Sequence, residues 1–101
     1  MAISSSITAD SNELTITIEG RFDFSSHQEF RRAYEGLATK PDSYVVDMNA
    51  TAYLDSSALG MLLLLRDYAG GDSANISIAN CNDDVKKILS ISNFEQLFKI
   101  K

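Results

Sequence analysis

The run Asp55-Ser56-Ser57 joins an extended segment to a strongly apolar one, and it offers the clearest chemistry in this chain of 101 residues. A serine at the start of a helix lies where free backbone amides converge and the helix dipole is positive. A phosphoryl group carried there would sit in a field that favours anions. It would add about -1.5 to -2 charges, enough to change a docking surface without changing a fold. The same residues have a plainer use, because a serine hydroxyl at that place can accept from an amide one turn on and cap the helix, a gain of about 1 kcal/mol. Residue chemistry alone leaves both uses open.

Other chemistries are poorly served. A serine nucleophile needs a base within hydrogen-bond reach and a third group to orient that base. His27 is the sole histidine, and Ser56 does not sit in a Gly-x-Ser-x-Gly elbow. His27 reads instead as part of the first turn of a solvated helix. Asp47 reads as a strand-end carboxylate held by backbone donors rather than an acid catalyst. No glycine-rich phosphate loop is present, which argues against intrinsic nucleotide hydrolysis. The single Cys81 cannot form an internal disulfide and no Cys/His spacing suits zinc, so the reading is a small apolar residue in a reducing cytoplasm. The chain is thus read as a non-enzyme, with no cofactor and no metal.

Composition narrows the partners. Fourteen acidic against 9 basic residues give a formal net charge of -5, and the basic residues are scattered, with only Arg31-Arg32 and Lys86-Lys87 adjacent. That excludes the basic face a nucleic-acid binder needs. Met1-Ala2-Ile3 runs straight into a serine-rich stretch with no basic region or long apolar core, so no targeting segment is expected. The longest apolar run, Met61 to Leu65, is far short of the ~20 residues that span a bilayer. A cytoplasmic protein without membrane insertion is expected.

The elements that must position Ser56 follow from periodicity. Leu14, Ile16 and Ile18 alternate with polar residues as in a half-buried strand, and Asp10-Ser11-Asn12 supplies a turn, making Ser4 to Thr8 the other arm of a hairpin. Arg21 to Ser25 reads as loop, and Ser26 with Glu29 as a capping box. Phe30, Ala33, Tyr34 and Leu37 then form one apolar helix face. Tyr44 to Met48 reads as a buried strand with little alternation. A second helix should begin at Asp55-Ser56-Ser57 and stop at Gly70-Gly71. A strand over Asn75 to Ala79, a helix over Asp83 to Ser90, and a final turn and short strand built on Phe94, Leu97, Phe98 and Ile100 complete the chain. A hairpin followed by alternating helix and strand is an α/β arrangement, a mixed sheet covered by helices, in one domain over residues 1–101.

Leu59 and Met61 to Leu65 spread around more than one face of the second helix. Either the helix is buried between the sheet and a neighbouring helix, or part of it, Met61 and Leu64, forms a docking patch beside Ser56.

Asp55-Ser56-Ser57-Ala58-Leu59-Gly60 resembles the phosphorylation motif of the STAS domain, in particular that of bacterial anti-sigma factor antagonists. The resemblance extends over nearly the whole chain. Gly20-Arg21-Phe22-Asp23 is similar to the family's segment after the second strand, Tyr44 to Met48 to its central strand, and Ile91-Ser92-Asn93-Phe94 through Leu97-Phe98-Lys99-Ile100 to its closing segment. Ala58 departs from the family's more frequent glycine, and Gly70-Gly71 ends the helix about one turn early.

The resemblance implies a STAS-like fold and a phosphoacceptor at Ser56, with Ser57 the second choice. It also implies that Asp55 and Asp23 lie beside the acceptor. Unphosphorylated, such a protein would bind an anti-sigma factor through the Ser56 end of the second helix, with Asp55 and Ser57, and through the Asp23 loop, freeing a sigma factor for transcription. The partner can itself be an ATP- and Mg-dependent serine kinase, and a PP2C-type phosphatase would reverse the reaction. A second reading within the family is a STAS subunit that docks on an ABC transporter ATPase or another complex and is never phosphorylated.

Overall fold

A computed structural model describes residues 3–37 and 39–101; Met1-Ala2, part of the segment read for targeting, lies outside the described residues. The hairpin forms as its alternation predicts. Strand β1 (Ile3–Thr8) pairs antiparallel with β2 (Glu13–Ile18), and Leu14, Ile16 and Ile18 point into the core. The segment read as loop instead opens with a short strand, β3 (Gly20–Phe22). One turn of 3-10 helix over Phe24–Ser26 then leads into helix α1 (His27–Glu35).

That turn corrects the capping box. The Ser26 side chain makes no cap hydrogen bond, and its hydroxyl leans towards the Arg21 carbonyl at 3.5 Å. Asp23 takes the capping role three residues earlier, accepting from the Ser25 amide at 3.0 Å. A carboxylate is as good an acceptor as a serine hydroxyl here, so the chain starts its first turn at the earlier of the two.

Strand β4 (Ser43–Asp47) runs parallel to β2. It alternates more than its sequence suggests, burying Tyr44 and Val46 while Val45 and Asp47 are half-exposed. Only one face of this strand is fully covered. The Asp47 carboxylate accepts from the Asn49 amide at 2.9 Å and from Asn80 at 3.2 Å, a strand-end role. A further strand follows, β5 (Thr51–Leu54), which pairs parallel with β3 as a small second sheet. Thr51 ties the two sheets together, its buried hydroxyl donating to the Ile18 carbonyl at 2.8 Å.

Helix α2 (Ser56–Ala69) ends where Gly70 adopts a φ of 124°, and a Cβ at Gly70 would come within 2.9 Å of the Ser73 hydroxyl. Strand β6 (Ile76–Ala79), helix α3 (Asp83–Ile91), capped by Asn82, and strand β7 (Lys99–Ile100) finish the chain. The main sheet runs β1-β2-β4-β6-β7, mixed because only β1 is antiparallel. Phe22, Phe30 and Tyr34 pack in sequence through the core at tilted and edge-on angles, with ring centroids 5.0 and 5.6 Å apart. The result is one small mixed α/β domain.

Helix α2 resolves its two readings residue by residue. Ala58, Met61, Leu62 and Leu65, at i, i+3, i+4 and i+7, form its buried stripe. Met61 is only 4% exposed and packs in the core, so it is not available to a partner, contrary to the docking patch drawn from sequence. Leu64, by contrast, stands 51% exposed, and Leu63 39%.

Candidate functional site

The site is built where β3 and β5 end together. The two strands are parallel and pair Phe22 with Leu54, so the residues that follow, Asp23 and Asp55, emerge side by side at the same end of the small sheet. The Asp55 amide bonds the Phe22 carbonyl at 3.4 Å, fixing the two exits to each other. The two carboxylates expected to flank Ser56 are therefore brought to the same corner.

Asp55 is the N-cap of α2. Its carboxylate accepts from the Ala58 amide at 2.9 Å. Ser56 is the first helical residue, exposed, and none of the side-chain hydrogen bonds among the described residues uses the Ser56 or Ser57 hydroxyl. The plain capping use of Ser56 is thereby overturned: the cap belongs to its neighbour and the hydroxyl is left free. Ser57 is half-buried. Ala58 is fully buried, so the methyl at this departure from the family pattern is absorbed by packing.

Since the cap resides in Asp55, Asp55→Ala should lower the unfolding free energy by about 1 kcal/mol. Urea unfolding of the two proteins is the check, and Ser56→Ala should change it by less.

Charges of both signs meet at this corner. Asp23 holds a local network, accepting from the Ser25 hydroxyl and amide and from Arg21 Nε at 3.4 Å. The hydrogen bond from the Ser25 hydroxyl is the main reason that the Asp23 carboxyl lies below its ordinary value. A depressed carboxyl stabilises the turn above the unfolded-state value, and that contribution is lost as pH falls through the lower folded value. In Ser25→Ala the Asp23 titration midpoint, followed by carboxyl-carbon NMR, should move up towards the ordinary aspartate value.

Four residues of this corner escaped sequence reasoning. The Arg21 guanidinium lies 4.9 Å from the Tyr53 ring centroid, and Tyr53 is itself exposed. Phe24 is 73% exposed and stacks on His27. Its alternation with buried Phe22 was the available signal, but two phenylalanines flanking an aspartate do not say which one turns outward. Leu63 was also passed over. At 100° per residue it lies only about 20° from Ser56 around α2, whereas Leu64 lies about 80° away. Ser56, Gly60, Leu63 and Asp67 thus line one exposed stripe with Leu64 at its flank.

This corner can present a free hydroxyl, two carboxylates and exposed aromatic and aliphatic side chains to another macromolecule. Among the described residues no group of three or more His, Cys, Asp or Glu side chains could hold a metal ion, and no helix is long and apolar enough to cross a membrane.

A hairpin leading into a mixed sheet, with an exposed serine at the first position of the second helix, defines a STAS-type module. The chain belongs to the STAS-domain family: the family model described as "Mlab, STAS domain" matches residues 5–99. It is 66% identical over 100 residues to a STAS-domain containing protein of Pseudomonas aeruginosa strain UCBPP-PA14, covering 99% of each chain. Its fold is similar to that of a putative anti-sigma factor antagonist from Thermotoga maritima, with a TM-score of 0.83 at 14% identity over 97% of this chain and 84% of that one. A sulfate transporter family protein from Wolinella succinogenes has the same fold, with a TM-score of 0.78 at 13% identity over 94% of this chain and 79% of that one.

Proposed function

We propose that this protein is an anti-sigma factor antagonist switched by phosphorylation of Ser56. One observation carries the reading: the Ser56 hydroxyl is exposed and unbonded at the head of α2 because Asp55 has taken the cap. A hydroxyl needed for the fold would be a poor switch, since modifying it would unfold what it regulates.

In the unmodified state the corner of Asp23, Asp55 and Ser56, with the stripe through Leu63 and Leu64, docks on an anti-sigma factor. A serine kinase, the anti-sigma factor itself or a separate protein, transfers the γ-phosphoryl group of ATP to Ser56 Oγ. The hydroxyl loses its proton and ADP leaves. The dianion then stands beside Asp23 and Asp55, so the surface repels any partner face that had matched two carboxylates and a neutral hydroxyl. A PP2C-type phosphatase hydrolyses the ester, releasing inorganic phosphate and restoring the hydroxyl. The protein acts in the cytoplasm as a binding module, and catalysis resides in its partners.

A second reading is a STAS subunit that docks on an ABC transporter ATPase or another complex without being phosphorylated. A sulfate transporter family protein shares the fold, so a transport-linked role is the alternative. Affinity capture with wild-type and Ser56→Asp baits separates the two. Switching predicts an anti-sigma factor retained by the first bait and lost from the second. An ATPase subunit held equally by both would overturn it.

A further inference from the structure

The main sheet has two edges, and they are guarded very differently. Strand β7 is two residues long, with Lys99 exposed within it and Lys101 just beyond, which are common protections against edge-to-edge pairing. Strand β1 has six residues, Ile-Ser-Ser-Ser-Ile-Thr, with no charge and no proline, and its pairing with β2 runs without a bulge. Among the described residues no strand lies beside its outer edge. An unguarded edge of this length is a template for another strand.

Its sequence specifies which strand. In an antiparallel pair, opposed residues share a face and a hydrogen-bonding parity, so a strand pairing with its own copy must have residue numbers that sum to an even value. A sum of 10 sets Ile3 against Ile7 of the second copy, Ser4 against Ser6, and Ser5 against itself. Ile3, Ser5 and Ile7 lie opposite Ile18, Ile16 and Leu14 of β2, so they belong to the helix-covered face. There Ile3 packs against the core while Ile7 is left 47% exposed. The self-paired register would cover each exposed Ile7 with an Ile3.

A groove with a charged lining flanks this edge. This groove, of about 270 Å³ between β1 and α1, is lined by Ile3, Ser4, Ser5, Glu29, Arg32 and Ala33. None of the ion pairs among the described residues uses Arg32. A two-fold axis through Ser5, normal to the sheet, would run the two α1 helices antiparallel.

We propose that β1 is the contact edge of a two-fold homodimer, pairing antiparallel with β1 of a second copy about Ser5. The contact joins two five-stranded sheets into one of ten strands. It uses none of Asp23, Asp55 or Ser56, so it is independent of the switch. One strand pair with flanking helix side chains is a small interface, so the dimer is a weak one that forms reversibly with concentration.

Two measurements test it. Sedimentation velocity over a concentration series up to about 1 mM, where an association of only about -4 kcal/mol is half formed, should show dimer for wild type. In Ile7→Lys, which sets a charge against Ile3, the dissociation constant should rise roughly tenfold or more, with an unchanged circular dichroism spectrum. In a Cys81→Ser background, Ser5→Cys should oxidise to a disulfide-linked dimer. Opposed Cα atoms about 4.5–5.5 Å apart fall inside the range a disulfide spans. Exposed Ser90→Cys, the collision control, should link at least roughly tenfold more slowly. Wild type that stays monomeric throughout, or Ser5→Cys that links no faster than Ser90→Cys, would overturn the dimer.

Discussion

Ser56→Asp should weaken binding of the anti-sigma factor by roughly 10- to 100-fold, about 1.4–2.8 kcal/mol, while Ser56→Ala binds nearly as wild type. The asymmetry follows from the corner. Asp23 and Asp55 leave adjacent parallel strands and already place two carboxylates there. A third anion adds repulsion towards any partner face built for the unmodified surface, and buried at an interface it also loses its water. Alanine removes a hydroxyl that bonds to nothing in the fold. Stability should move little in either variant, since the α2 dipole favours an anion at its first residue while Asp55 opposes it. Calorimetric titration of the captured partner, with thermal unfolding of each variant alongside, reads both quantities. Equal affinities for the two variants would sink the electrostatic account of release.

Met61→Ala and Leu64→Ala should fail in opposite ways, although the residues are three apart on one helix. Met61 is 4% exposed among Ala58, Leu62 and Leu65, so truncation opens a cavity in the core at a cost of about 2–5 kcal/mol. For a domain of this size that lowers Tm by roughly 4–8 °C per kcal/mol. Leu64, half in solvent, should cost under about 1 kcal/mol in stability and lose affinity for the partner instead. Leu63→Ala should behave like Leu64→Ala or bind more weakly still, because it stands nearer to Ser56 around the helix. Chemical denaturation and titration of the same three proteins give the comparison. A Met61→Ala protein with wild-type stability and lost binding would return Met61 to the surface.

That pair of residues shows where sequence reasoning reached and where it stopped. The bounds of α2 were legible because Asp55 and Gly70 are strong local signals, one a side-chain acceptor and the other a backbone at φ 124°. The hairpin was legible from the clean alternation of Leu14, Ile16 and Ile18. Inside α2, five consecutive apolar residues hide the period, and the buried stripe is identified only through Ala58, whose small side chain gives little hint of burial. Strands β3 and β5 were missed because they have three and four residues and owe their existence to each other, 31 positions apart at Gly20 and Thr51. Without them, Asp23 could be set beside Ser56 only by family resemblance. Their parallel pairing brings Asp23 to the same end of the small sheet as Asp55, the residue before Ser56.

The most direct test of the switch is phosphopeptide mass spectrometry that resolves Ser56 from Ser57, on protein isolated from cells with and without the partner phosphatase. Phosphate on Ser56, rising when the phosphatase is absent, is the predicted result. Phosphate confined to Ser57, or none in either strain, would contradict it.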